Sequence, residues 1–134
     1  MGQQHMFRSV FADAPVGMVI LDPQGIILSA NKAFLTLVGE KNVENDRLCS
    51  FLHHDDEQDF RDHIENVLQG GSTYISREVR YERGDGEESW WRVHISPSSS
   101  ENEQTLIAFI EDVTKQKEYE EELKKAKEES ERAQ

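Results

Sequence analysis

An α+β fold built on an antiparallel sheet is what this sequence predicts, and three observations carry the prediction. Apolar segments of strand length fall in two groups, near residues 16–30 and 72–112, with helix-forming stretches between them. Within each group the segments are joined by turns too short for anything but antiparallel neighbours. Two of the longer segments, "STYISREVRYER" and "EESWWRVHISP", alternate apolar with polar residues as half-buried strands do.

Met6, Phe7, Val10, Phe11 and Ala14 follow the spacing of an amphipathic helix, which Pro15 ends. "VGMVIL" and "IILSA" are short strands on either side of "DPQG", a turn with Pro second and Gly fourth. Asn31 is a good cap for the helix "KAFLTLV", which Gly39 stops. "NDRLCSFL" reads as a short helical turn. "HHDDEQDFRDHIENVLQGG" is a stronger helix, with acids at its start and a buried stripe of Phe60, Ile64, Val67 and Leu68. Three strands follow, turned at "GDG" and "SSSEN". The last, "EQTLIAFIEDV", runs without a loop into a charged helix from Thr114.

The chain has 134 residues and a net charge of -12. The tail from Asp112 holds 8 acidic and 6 basic residues, so most of the excess lies in the body. That argues against nucleic acid and anionic membrane as partners, since both need a basic footprint. The single cysteine, Cys49, excludes an intrachain disulfide and fits a reducing compartment. No signal-peptide pattern is visible, and no apolar run is long enough to span a bilayer. We therefore expect a cytoplasmic domain, whether or not its parent protein is membrane-anchored.

Four motifs in order resemble the PAS sensory domains. "APVGMVILDPQGIILSANKAF" resembles the family's opening, and "LHHDDEQDF" its His-Pro-Asp-Asp segment with His54 in place of Pro. "REVRYERGDGEESWWRV" resembles its Glu-x-Arg, Asp-Gly, Trp pattern, and "EDVTKQKEYEEEL" its closing Asp-Ile-Thr. The resemblance implies a sheet in the order 2-1-5-4-3 with helices on one face, an N-terminal helix and a C-terminal signalling helix. It divides the chain into a cap helix (1–14), a PAS core (15–113) and a linker helix (114–134). It implies a non-enzymatic sensory module of a multidomain signalling protein that binds a small ligand or none. That module would relay its state to an effector such as a histidine kinase or diguanylate cyclase. A ligand-free dimerisation module is the alternative reading. A small metal-dependent hydrolase around His54, Asp59 and His63 is a remote one.

Neither flavin nor haem is expected. Cys49 lies where light-sensing members of the family carry their flavin-linked cysteine, but Leu48 stands where Asn is usual. Trp91 and Ile110 stand where amide side chains would hold the ring. His63 is nearer the helix C-terminus than the family's haem ligand, whose place falls near Asp59 and Phe60, and it is expected at the margin of the buried stripe. His53, His54, Asp55, Asp56, Asp59 and His63 crowd one segment, but no further metal ligand is marked. A helix cap with an acidic first turn accounts for them.

The expected interior is lined by Phe34, Phe60, Ile64, Val79, Trp91 and Ile95, with Ile107 and Phe109 from the last strand. Met18, Ile20, Ile26 and Leu28 from the first hairpin, Leu37, Leu52 and Val93 complete it. Such an aliphatic lining suits a small apolar molecule or simply a filled core. Arg77 alternates with Ile75, Val79 and Tyr81, so it is expected to face that interior, as an anchor for an anionic ligand or in an internal ion pair. Trp90 and Ile110 are expected on the opposite sheet face, covered by Phe7, Val10 and Phe11 and used in a homodimer. Asp112 and Thr114 are expected to fix the joint to the last helix. There Gln116, Tyr119, Leu123, Ala126, Ser130 and Ala133 form a weak heptad seam.

Overall fold

The structure, a computed structural model, describes residues 2–70, 76–100 and 103–133, with side chains from Arg8 onward apart from those of 99, 100 and 103. The elements run α1 (Gly2–Asp13), β1 (Gly17–Leu21), β2 (Ile27–Ala30), α2 (Lys32–Val38), a 3-10 turn (Leu48–Phe51), α3 (His54–Leu68), β3 (Arg77–Glu82), β4 (Glu88–Ser100), β5 (Glu103–Asp112) and α4 (Thr114–Ala133). The five strands form one antiparallel sheet in the order β2-β1-β5-β4-β3, as the sequence resemblance implies.

Local chemistry sets the first hairpin. Asp22 Oδ1 accepts hydrogen bonds from Gln24 N (2.8 Å) and Ile26 N (2.9 Å), and Gly25 takes φ +84°, a value that favours glycine. Asn31 then does two jobs. Its Oδ1 accepts from Phe34 N at 3.0 Å, capping α2, and from Met18 N at 2.9 Å, while its Nδ2 donates to Val16 O at 3.0 Å. This one side chain, 2% exposed, locks the start of β1 to the start of α2. At the other end of α2, Gly39 turns left-handed with φ 70° and ends the helix.

α3 lies against β3 and β4 and buries Phe60, His63, Ile64 and Val67. His63 is 2% exposed rather than marginal, because it falls three residues after Phe60 and four before Val67, inside the stripe. The N-cap of α3 is His53, whose Nδ1 accepts from Asp55 N at 3.1 Å.

The strand phases expected from sequence are right for β3 and β4 and wrong for β1, β2 and β5. Val79, Trp91, Val93 and Ile95 face the helices. So do Val19, Leu21, Ile27, Leu106, Ala108 and Ile110, all fully buried, whereas Ile20, Ile26, Ile107 and Phe109 are half-buried and Leu28 is 45% exposed. "GMVIL" and "LIAFI" are apolar at every position, so periodicity gives them no phase. Pairing supplies it: Ile95 and Val93 oppose Ala108 and Ile110, and Ala108 opposes Val19. Ile110 is thereby removed from the outer face.

Arg77 is likewise exposed. Its parity is that of Val79, but it opens an edge strand where solvent reaches it, so its charge needs no internal partner. Ile75, expected on the same face, lies outside the described residues, as do Glu101 and Asn102 of the "SSSEN" turn.

α1 packs chiefly against α2 rather than over the outer sheet face. The cause is the Asn31 lock, which brings the chain leading into β1 beside the start of α2. Phe11 is 9% exposed and Val10 58%; the side chain of Phe7 lies outside the described residues.

Candidate functional site

Two regions draw the sequence-marked residues together: the interior, and the junction of β5 with α4. In the interior, Phe34, Phe60, Val79, Trp91 and Ile95 are wholly buried and Ile64 nearly so, in one cluster. Ile107, Phe109 and Arg77 are not part of it. Trp91 is at its centre. Its indole stacks on Tyr81 at 4.5 Å between centroids and meets Phe34 edge-on at 5.8 Å, while Phe51 also meets Phe34 edge-on, at 5.9 Å. The Nε1 of Trp91 is buried and finds no acceptor among the described residues. Burial pushes the Tyr81 hydroxyl's pKa up, and its proton points to Val38 O at 3.4 Å. Beside these rings a groove of about 320 Å³ is lined by Leu37, Val38, Tyr81, Ser89 and Asp112 among others. Cys49 is half-buried in the 3-10 turn.

At the junction, β5 becomes α4 across a single residue, Val113, and that residue is tied to the sheet. Val113 N donates to Trp90 O at 2.8 Å, and Trp90 N donates to Thr114 Oγ1 at 2.9 Å. Asp112 Oδ1 accepts from both the amide and the hydroxyl of Thr114. Val113 O accepts from Lys117 N at 2.9 Å, the first bond of the helix. Asp112 and Thr114 thus sit together at the joint, with a third residue, Trp90, supplying both its backbone groups.

One turn further, Lys117 closes over the outer face. Its Nζ is 2.7 Å from Glu78 Oε1 and 5.0 Å from the Trp90 ring centre, on whose ring Arg80 also lies at 5.9 Å. Trp90 is therefore half-covered by two cations and by the helix start. The Lys117 hydrogen bond, outweighing partial burial and aided by Arg92, holds the Glu78 carboxyl below its ordinary pKa.

That shift carries a pH prediction. A carboxylate with a depressed folded pKa stabilises most above the ordinary value, and loses that contribution as pH falls through the folded one. Amide protection in the first turns of α4 should therefore drop on acidification below about pH 4. The pair is part-exposed, so the loss should be about 0.5 kcal/mol. Hydrogen exchange followed against pH measures it, and the step should vanish in Glu78→Gln.

The sheet edge is held in a similar way. Arg80 pairs with Asp56 through Nε (3.0 Å) and Nη2 (3.1 Å), and its backbone N donates to Asp56 Oδ2 at 2.8 Å. Burial raises the Asp56 pKa, but these bonds outweigh it and the carboxyl titrates below its usual range. The amide of His53 donates to Arg80 O at 2.9 Å, so the start of α3 seals the free edge of β3. Neither Asp56 with Arg80 nor Glu78 with Lys117 was marked by sequence reasoning. The partners are 24 and 39 residues apart, and nothing local links them. Asp59 is exposed while His63 is in the core, so the set His54, Asp59 and His63 is not brought together.

Comparison with known proteins agrees with this geometry. A family model described as PAS domain matches residues 15–115. The chain is 24% identical over 127 residues to the sensor histidine kinase TmoS of Ectopseudomonas mendocina, covering 92% of this chain but 13% of that protein. The PAS domain of an HTR-like protein from Haloarcula marismortui superposes with a TM-score of 0.65 at 24% identity, covering 83% of this chain and 92% of that one. An RNA-binding light-oxygen-voltage receptor superposes with a TM-score of 0.77 at 22% identity, covering 93% of this chain and 37% of that one. No described helix is long and apolar enough to cross a membrane. With the sheet order, the alignment over residues 15–115 and the matching solved folds in place, the chain belongs to the PAS domain family, the sensory modules of signal-transduction proteins.

Proposed function

We propose that this domain is a non-enzymatic sensory module of a longer, multidomain signalling protein, and that α4 carries its state to an effector such as a histidine kinase. The observation that supports this most is the loop-free joint. Trp90, Asp112, Val113 and Thr114 form one hydrogen-bonded unit, so a shift of β4 or β5 moves the helix rather than being absorbed by slack. The domain works in the cytoplasm as a homodimer, without direct contact with membrane or nucleic acid. The exposed Tyr119 (63%) and Leu123 (53%) on α4 and Val10 on α1 are the surfaces it would pair.

The input is a small molecule rather than flavin or haem. Among the described residues Asn31 is the buried amide side chain, and its bonds to Met18, Phe34 and Val16 are internal, so it has little left to hold a flavin ring. The groove beside Tyr81, Ser89 and Asp112 touches both the ring cluster and the joint, and is where such a ligand would act. The ring packing around Trp91 favours one second reading, a ligand-free dimerisation module with a filled core.

The test is insertion of two glycines after Thr114 in the full-length protein. Output should become unresponsive to input while the domain stays folded. Unaltered signalling in that variant would overturn the relay.

A further inference from the structure

We propose that the start of α3 and the facing sheet edge form a binding site for a transition-metal dication, zinc by preference, with His53, His54 and Glu82 as ligands and Glu88 beside them. These residues come from the linker and first turn of α3, from β3 and from β4. The set differs from the candidate ligands that the sequence brings together in one segment.

Three observations converge. First, donor atoms of His53, His54 and Glu82 lie within 4.8 Å of one another, close enough to share one ion. Two imidazoles and a carboxylate with an open fourth place suit zinc. Second, the two imidazoles lie side by side in a stack, 4.6 Å between centroids and 22° apart, so a turn of the exposed His54 ring is enough to aim a nitrogen of each at one ion. Third, Glu82 and Glu88 are direct cross-strand partners, a like-charge pair that costs stability unless something positive lies between them. His53 Nε2 is 3.7 Å from a carboxylate oxygen of each. The guanidinium of Arg80, two residues before Glu82 on the same strand, is already bound bidentately by Asp56.

The scaffold is rigid where the ligands attach. His53 N donates to Arg80 O, Leu52 bridges Tyr81, and Asp56 grips Arg80. These contacts hold the histidine pair against the end of the β3–β4 hairpin. The positive end of α3, about half a charge, opposes a cation there. Asp55, Glu82 and Glu88 outweigh it.

Metal binding exchanges one hydrogen bond for another. In this structure His53 Nδ1 accepts from Asp55 N, so the neutral ring carries its proton on Nε2. To ligate through Nε2 the ring must hold that proton on Nδ1. The cap bond to Asp55 N is then given up, and Nδ1–H turns to Asp55 Oδ2, 3.6 Å away, forming the carboxylate–histidine–metal arrangement. Glu88 lies two residues before Trp90, the strand residue that holds the joint to α4. Occupancy would therefore be felt there, although the site itself does not depend on the relay reading.

The test uses the 134-residue chain stripped with chelator and titrated with zinc chloride near pH 7.5, followed by calorimetry and by amide NMR. A single zinc should bind per chain in the micromolar range, with the Asp55 amide among the resonances that move most. Cobalt(II) should give the visible absorption of a tetrahedral site. His54→Ala and Glu82→Gln, both at exposed positions, should each weaken binding roughly 10-fold or more, and Glu88→Gln should weaken it less. His94→Asn, on the outer face, should leave it unchanged. Absence of binding at sub-millimolar zinc, or binding of equal strength in His54→Ala and Glu82→Gln, overturns the proposal.

Discussion

Replacing Trp91 with alanine should cost about 3–5 kcal/mol of folding stability, the range for deleting a large buried ring. The indole is 0% exposed, stacks on Tyr81 and meets Phe34 edge-on, so a cavity would open between those two rings. Aromatic pairs add about 0.5–1.5 kcal/mol beyond their buried area. Small domains have about 5–15 kcal/mol in total, so Trp91→Ala should stand near the edge of folding. Trp91→Phe separates shape from polarity. It keeps the stack and removes Nε1, which has no acceptor among the described residues, so no hydrogen bond is lost. It should cost under about 2 kcal/mol, as conservative core changes do. Urea midpoints at unchanged m-value measure both. A Trp91→Ala loss below about 1 kcal/mol would show that the interior does not pack on this ring.

The second large effect is expected at Asn31. Alanine there removes the α2 cap, worth about 1 kcal/mol. It also leaves the Met18 amide, inside the sheet's first strand, without its side-chain acceptor, at a cost of about 1–3 kcal/mol. Together Asn31→Ala should lose roughly 2–4 kcal/mol on these two principles. Serine should recover only the cap, because its short hydroxyl reaches Phe34 N but cannot also span to Val16 and Met18. Aspartate keeps the acceptor and sets an oxygen against Val16 O, where the amide nitrogen now donates at 3.0 Å. The expected order of stability is therefore Asn, then Ser or Asp, then Ala. Equal midpoints for Asn and Ala would show that the lock between β1 and α2 is unimportant.

The legibility of this fold in its sequence varies from element to element for physical reasons. Turns were legible because they depend on single residues: Asp22 and Gly25 in the first hairpin, Gly39 after α2. The phase of β4 was legible because Trp91, Val93 and Ile95 alternate with Trp90, Arg92 and His94. The phase of β1 and β5 was not, since a run such as Leu106–Ile110 is apolar throughout and only its neighbours tell it which way to face. Arg77 misled for the opposite reason. Its parity was right, but parity says nothing about where along an edge strand the cover ends. At the joint, Asp112 and Thr114 were legible because capping is local, whereas Trp90 as their anchor was not.

The sequence by itself determined the five strands, the helices between them and the direct run of β5 into α4, because those follow from periodicity and turn chemistry acting over a few residues. Tertiary structure alone decided the inward faces of the uniformly apolar strands, the Asp56–Arg80 and Glu78–Lys117 pairs, and the meeting of His53 and His54 with Glu82 and Glu88. Each of these depends on strand register and helix placement, which bring together residues whose spacing along the chain carries no trace of the contact.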